Sequence, residues 1–285
     1  MHADDILALL RNELCDIPGL VGIVLGGSRA RGVATETSDI DLGLYYDSQS
    51  PLDLERLREV AARVDDEHRT DVLTDFGGWG PRINGGGWLV IQGMHVDFLY
   101  RDLREVEHSI AEGWAGRVDI AYQPGHPHGF STAMYMSEIA LCRILSDPSG
   151  EIQRLKTLTI PYPRSLQEGI VQRFFWEADF AYQIALKPAK RGDITYVEGC
   201  CFRSVACLLQ VLFALNKVYW MNEKGALALA SSFALAPKDL VRRVNTIFAH
   251  RSPEGESLNA ALKELANLYE ETRHLLKQHG LLTGA

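Results

Sequence analysis

Residues 3–15 place Ile6, Leu9, Leu10 and Leu14 on one helical stripe, so a short amphipathic helix opens the fold. Val21–Leu25 is a continuous aliphatic run that stops at Gly26-Gly27, which predicts a buried strand ending in a sharp turn. Thr37–Leu44 alternates instead: Ile40, Leu42 and Leu44 share one strand face, and Asp39 and Asp41 share the other. Ser50-Pro51 then caps an amphipathic helix over 52–64. A short strand is expected over 72–76, followed by a glycine-dense loop to Trp88. A hairpin follows, with arms 88–91 and 94–100 around Gln92-Gly93. In its second arm Val96, Phe98 and Tyr100 face one way, and His95, Asp97 and Leu99 the other. A helix is predicted over 102–114, a loop over 116–129, and helices over 131–145, 164–187, 193–218, 237–250 and 256–278, punctuated by prolines. The pattern predicts an α+β protein. Residues 1–115 are expected to form a domain with a mixed sheet, and 131–285 a C-terminal helical bundle.

Two features of the first half carry chemistry. Gly26-Gly27-Ser28, ahead of a helix start, offers backbone N–H groups and a hydroxyl to an anion such as phosphate. About eleven residues on, Asp39 and Asp41 bring two like charges roughly 6.5 Å apart on one strand face, which favours a bound cation. Mg²⁺ is commonly held by one or two carboxylates together with substrate phosphates, so the two features fit each other. Either motif alone is commonplace on a turn or an exposed strand; the order and spacing make the combination informative. Asp97, between Val96 and Phe98 in a predicted strand, either pairs with Arg101 or another arginine, or joins the other two acids.

The run VGIVLGGSRARG…SDIDLGLYY resembles the nucleotidyltransferase superfamily typified by DNA polymerase β, and within it the small bacterial aminoglycoside- and lincosamide-type enzymes. The resemblance rests directly on residues 21–46; beyond about residue 105 it is architectural only. It implies transfer of a nucleoside monophosphate, AMP from ATP in the first instance, to a hydroxyl of a small acceptor with release of pyrophosphate. It further implies that Asp39, Asp41 and a third carboxylate on a later strand, here Asp97, hold Mg²⁺ or serve as catalytic base. Gly27, Ser28 and Arg29 would hold the outer phosphates. Modification of a protein hydroxyl, as in toxin–antitoxin pairs, and a non-catalytic nucleotide-binding module are the alternatives.

Composition narrows the partners. The 285 residues are 46% hydrophobic and 23% charged, enough for a substantial core. Residues 1–110 hold 20 acids against 10 arginines and no lysine, whereas 111–285 hold 17 acids against 19 basic residues. Such a balance argues against tracking long nucleic acid, which needs a basic stripe, but not against one nucleotide. Because Lys156 is the first lysine, a lysine gripping a triphosphate must come from the second half. The candidates are Lys187, Lys190, Lys217 and Lys224, with Lys224 favoured at a helix-to-turn boundary. Five irregularly spaced cysteines suggest a reducing cytosol. The opening residues lack a basic signal-peptide region, and the longest apolar run, 204–215, falls short of a membrane span. His126 and His128 in GHPHG are read as part of a solvated loop, for want of further ligands nearby in sequence. Arg243 and His250 match a loose spacing found in helical ribonucleases, a pattern that chance often produces.

Overall fold

The computed structural model describes residues 3–80, 82–249 and 256–282. The chain divides into two compact units. Unit 1 is Met1–Ala111, Ile120–Gly125 and Thr132–Pro161, and unit 2 is Glu112–Asp119, His126–Ser131 and Tyr162–Ala285.

Unit 1 is built on five strands: β1 (Leu20–Leu25), β2 (Ile40–Tyr46), β3 (Gly86–Ile91), β4 (Met94–Asp102) and one further strand near residue 145, in the order β3-β4-β2-β1 and then that strand. β2 and β4 run parallel and the other neighbours antiparallel, so the sheet is mixed. Strand alternation sorts its residues. Ile23 and Leu25 of β1, Ile40, Leu42 and Leu44 of β2, and Val96, Phe98 and Tyr100 of β4 share one face and are buried. They form one core with Ile6, Leu10 and Leu14 of α1 (Ala3–Leu14) and with Leu57, Val60 and Ala61 of α3 (Leu54–Val64). A single helical turn, α2 (Gly27–Ala30), follows β1. Asp53 caps α3 by accepting from the Arg56 N–H at 3.0 Å.

The stretch 72–76 is not a strand. Leu73 makes one isolated bridge to Gly87, and the chain is tied to the sheet through Thr74, whose N–H donates to the Gly86 carbonyl at 2.8 Å. β3 begins two residues before the predicted arm. At Gly86 a Cβ would lie 1.8 Å from the Phe98 carbonyl oxygen, so only glycine lets the strand close on β4 there. Gln123 holds the glycine-rich loop. Its Oε1 accepts from the Arg82 and Ile83 N–H groups at 3.0 and 3.2 Å, and its Nε2 donates to the Trp79 carbonyl at 2.6 Å.

After α4 (Leu103–Trp114) and the two-residue strands β5 (Ile120–Ala121) and β6 (Phe130–Ser131), the helix expected over 131–145 is shorter, α5 (Met134–Leu141). It gives way to β7 (Arg143–Ser146), the fifth strand of the sheet, which pairs with the edge of β1 through Val24↔Ile144 and Leu25↔Arg143. A helix α6 (Glu151–Thr157) follows, and its Lys156 Nζ donates to the carbonyls of Ile139, Ala140 and Cys142 at 3.2, 2.7 and 2.8 Å. That ammonium satisfies the open C-terminal carbonyls of α5 and ends the helix. Residues 132–161 therefore group with the sheet in unit 1, whereas 112–119 and 126–131 group with unit 2.

Unit 2 is helical: α7 (Arg164–Ala189), α8 (Ile194–Leu215), α9 (Ala226–Ala230), α10 (Leu240–Phe248) and α11 (Glu256–Gln278). Ala178, Ala181 and Ala185 of α7 let α8 approach closely, and the Ser204 hydroxyl donates to the Ala178 carbonyl at 2.8 Å. By length and hydropathy α8 could cross a membrane, but its apolar window is 78% buried by the protein itself. His128 is not on a solvated loop. Its ring lies within unit 2, where Cys207 Sγ is 3.5 Å away and Gln210 Nε2 3.2 Å. Arg243 is ion-paired with Glu264 and with Glu271, and His250 lies outside the described residues.

Candidate active site

The site in unit 1 begins where β1 ends. Gly26 donates its N–H to the Asp41 carbonyl at 2.8 Å, which locks the turn to β2. Gly27 has φ +60°, in the left-handed region, and a Cβ there would lie 1.8 Å from Asp41 Oδ2 and 2.7 Å from its Cγ. Glycine is required twice at this position, once for the backbone angle and once because the Asp41 carboxylate occupies the side-chain space. Ser28 follows in the single turn of α2, closed by Ala30 N–H to the Gly26 carbonyl at 3.1 Å. The first N–H groups of such a turn have no acceptor within it and face outward.

Asp39 immediately precedes β2 and is held through its backbone. Arg29 Nε donates to the carbonyls of Ser38 and Asp39, both at 3.1 Å, and its Nη2 lies 3.6 Å from Met94 Sδ. The Arg29 guanidinium thus fixes the approach to the strand. Asp41 is the second residue of β2 and half-buried.

Asp97 stands in register with Asp41 across the parallel β2–β4 pair. Adjacent strands are about 4.8 Å apart and in-register neighbours face the same way, so the two carboxylates share one face. Further along that face come Gly43 beside Leu99, then Tyr45 beside Arg101. Arg101 is committed to Glu138 of α5: its Nε donates to Oε1 and Oε2 at 2.9 and 2.8 Å, and its guanidinium carbon lies 5.4 Å from the Tyr135 ring centroid. Burial pulls the guanidinium pKa down, but the Glu138 charge, its hydrogen bond and the neighbouring Tyr135 and Tyr45 together outweigh that and leave Arg101 above its ordinary value. Burial likewise pushes Tyr45 well up, keeping it a neutral phenol. Arg101 thereby closes the far end of the face over α5, four strand residues, or roughly 13 Å, from Asp97. One face of the sheet is accordingly apolar and covered by α1 and α3, while the other carries acids at one end and a buried ion pair at the other.

Trp88 of β3 stands in register with Asp97 on its other side, and is 63% exposed. Trp79, from the glycine-rich loop, stacks on it with ring centroids 4.7 Å apart. The predicted hairpin already sets Trp88 opposite Asp97, but nothing in the sequence marks Trp79, which sits among glycines, as its stacking partner. Lys224 lies in unit 2; it is exposed, and its backbone N–H donates to Asn222 Oδ1 at 3.1 Å.

Asp41 and Asp97 stand in register on neighbouring strands, beside a turn whose side-chain space is filled by the Asp41 carboxylate, and Asp39 lies two residues before Asp41. Such carboxylates are oxygen donors of the kind Mg²⁺ takes. Residues 7–77 match the family model of the nucleotidyltransferase domain, and residues 132–224 match that of DUF4037, a domain of unknown function. No curated protein matches the chain. Among solved structures, a nucleotidyltransferase-like protein from Exiguobacterium sibiricum aligns with 96% of this chain and 78% of its own, with a TM-score of 0.45 and 10% identity. The segment carrying Gly26, Gly27, Asp39 and Asp41 thus belongs to a nucleotidyltransferase domain.

Proposed function

We propose that the protein transfers a nucleoside monophosphate, AMP from ATP, to a hydroxyl of a small acceptor in a Mg²⁺-dependent reaction that releases pyrophosphate. The observation that carries this reading is the packing of the Asp41 carboxylate against Gly27 with Asp97 in register beside it, which brings a phosphate-facing turn and two acids to one place. Asp39, Asp41 and Asp97 are the residues that would hold the cation. Bound there, it would offset the charge that develops on the attacking and leaving oxygens of an in-line displacement.

The chain's own residues do the rest. Backbone donors at Gly27 and Ser28, with the Ser28 hydroxyl, hold the outer phosphates, and Arg29 acts indirectly by fixing the backbone of Asp39. Asp97 takes the proton of the acceptor hydroxyl as its oxygen bonds to the α-phosphorus and the bond to pyrophosphate breaks. Trp88 and Trp79 offer a flat surface on which a base or acceptor ring stacks. The acidic first half favours a cationic acceptor over an anionic one. All five cysteines are free thiols, as suits a reducing cytosol.

Incubating the protein with each nucleoside triphosphate, Mg²⁺ and a panel of hydroxyl-bearing acceptors, while following pyrophosphate, tests the reading. Acceptor-dependent release, greatest with ATP, is expected. Absence of release with every nucleotide and acceptor would contradict it.

A further inference from the structure

In unit 2, far along the chain from the acids of β2 and β4, three side chains of different chemistry converge in the interior. His128, Glu177 of α7 and Cys207 of α8 each present one ligand atom, and these atoms lie within 4.8 Å of one another. All three are buried: the side chains of His128 and Glu177 are 2% and 5% exposed, and Cys207 is fully buried. His128 Nε2 is 3.5 Å from Cys207 Sγ and 3.9 Å from Glu177 Oε1. The second separation is too long for a direct N–H···O hydrogen bond. Both approach the edges of a metal tetrahedron, since bonds of about 2.0–2.3 Å to N, O and S place neighbouring ligand atoms about 3.3–3.8 Å apart.

The surroundings supply what such a centre needs. Gln210 lies 3.2 Å from His128 Nδ1, and with its amide oxygen turned to that nitrogen it accepts Nδ1–H and leaves Nε2 as the ligand. Arg173 and Arg203 hold Glu177 from outside, and Glu223 accepts the His128 backbone N–H at 2.7 Å, fixing the loop that carries the ring. Asp119 lies 3.3 Å from Arg173. The four positive charges of a dication and two guanidinia are balanced by Glu177, Glu223, Asp119 and an ionised Cys207. Without a cation the same burial pushes the Cys207 thiol well up and the His128 imidazole down, so both stay neutral.

We infer that His128, Glu177 and Cys207 form a zinc site, distinct in donor chemistry from the carboxylates of β2 and β4 in unit 1. A nitrogen, oxygen and sulfur set suits borderline Zn²⁺ and not Mg²⁺, which prefers oxygen throughout. On binding, Cys207 releases its thiol proton to solvent and donates a thiolate pair, with water taking the fourth corner. The site ties the 126–131 loop to α7 and α8, a structural role that does not depend on the nucleotidyl-transfer reading.

The test uses the full chain, stripped with a chelator and titrated with Co²⁺, then separately with Zn²⁺. A thiolate-to-cobalt charge-transfer band saturating near one equivalent is expected, as is retention of about one Zn²⁺ per chain through gel filtration. The band should vanish in Cys207→Ala, and survive in Cys142→Ala and in Asp41→Asn, whose substitutions lie in unit 1. Because Cys207→Ala could disturb the core, His128→Gln serves as a second variant; there the site should lose Zn²⁺ while a far-ultraviolet spectrum reports retained helix. No band and no retained Zn²⁺ in the wild type would overturn the inference and leave a buried hydrogen-bonded cluster. A band unaffected by Cys207→Ala would also overturn it.

Discussion

Gly27 carries no side chain because the Asp41 carboxylate is already where one would go. Gly27→Ala must either move that carboxylate or shift the turn, and in both cases it adopts a left-handed angle that costs about 1 kcal/mol. The expected outcome is a fall of about 100-fold or more in turnover with a stability loss of only about 1–2 kcal/mol, measured by steady-state kinetics and urea unfolding. Full turnover would show that the contact does not matter. Asp65 is the buried acid of the opposite kind, structural throughout. Arg69 donates to it from Nε at 2.9 Å and from Nη2 at 2.6 Å, and the Val90 N–H adds a third bond at 2.9 Å. Arg69 foremost holds its carboxyl well below the usual carboxylate range. A lowered folded pKa contributes stability that is present above the unfolded value of about 3.9 and is lost as pH falls from there towards the folded value. Asp65→Asn should therefore cost about 2–3 kcal/mol at pH 7, with the gap to wild type narrowing steadily as pH falls below about 4 in urea titrations. Asp39 and Asp41 were legible because strand alternation sets them on one side, whereas the surroundings of His128 were not: its partner Cys207 lies 79 residues away, a separation no local pattern can bridge.

β7 shows why the sheet was only partly readable. β1, β2, β3 and β4 announce themselves through alternation and glycine turns, but Arg143–Ser146 is four residues long and continues a helical pattern, and only the exposed edge of β1 makes it a strand. α5 stops before it because Lys156, from the next helix, satisfies its last carbonyls. The same short helix brings Glu138 to Arg101, and the pairing of β4 with α5 rests on that buried contact. Arg101→Met leaves the Glu138 charge unpaired in the interior and should cost about 3–5 kcal/mol, whereas Arg101→Met with Glu138→Leu should recover most of the loss. Chemical denaturation of the two single variants and the double variant measures the coupling. Strict additivity would mean that the pair does not hold the helix to the sheet.

The two units divide the chemistry, with the carboxylates and the phosphate-facing turn in unit 1 and nearly all the lysines in unit 2. An acidic first half repels a free triphosphate, so nucleotide binding should require a divalent ion. Calorimetric titration of ATP is expected to give heat only with Mg²⁺ present; equal affinity with and without the ion would contradict that requirement. On the proposed reading, the in-register acids of β2 and β4 serve one metal-dependent transfer. This role is tested most directly by pyrophosphate release from ATP and an active acceptor in wild type, Asp41→Asn and Asp97→Asn at saturating Mg²⁺, with thermal unfolding of each protein in Mg²⁺-free buffer. Both substitutions should lower turnover by about 1000-fold or more while leaving apo stability unchanged or raised, because like charges are relieved. Nearly full turnover in either variant, or a loss of apo stability of several kcal/mol, would contradict the account.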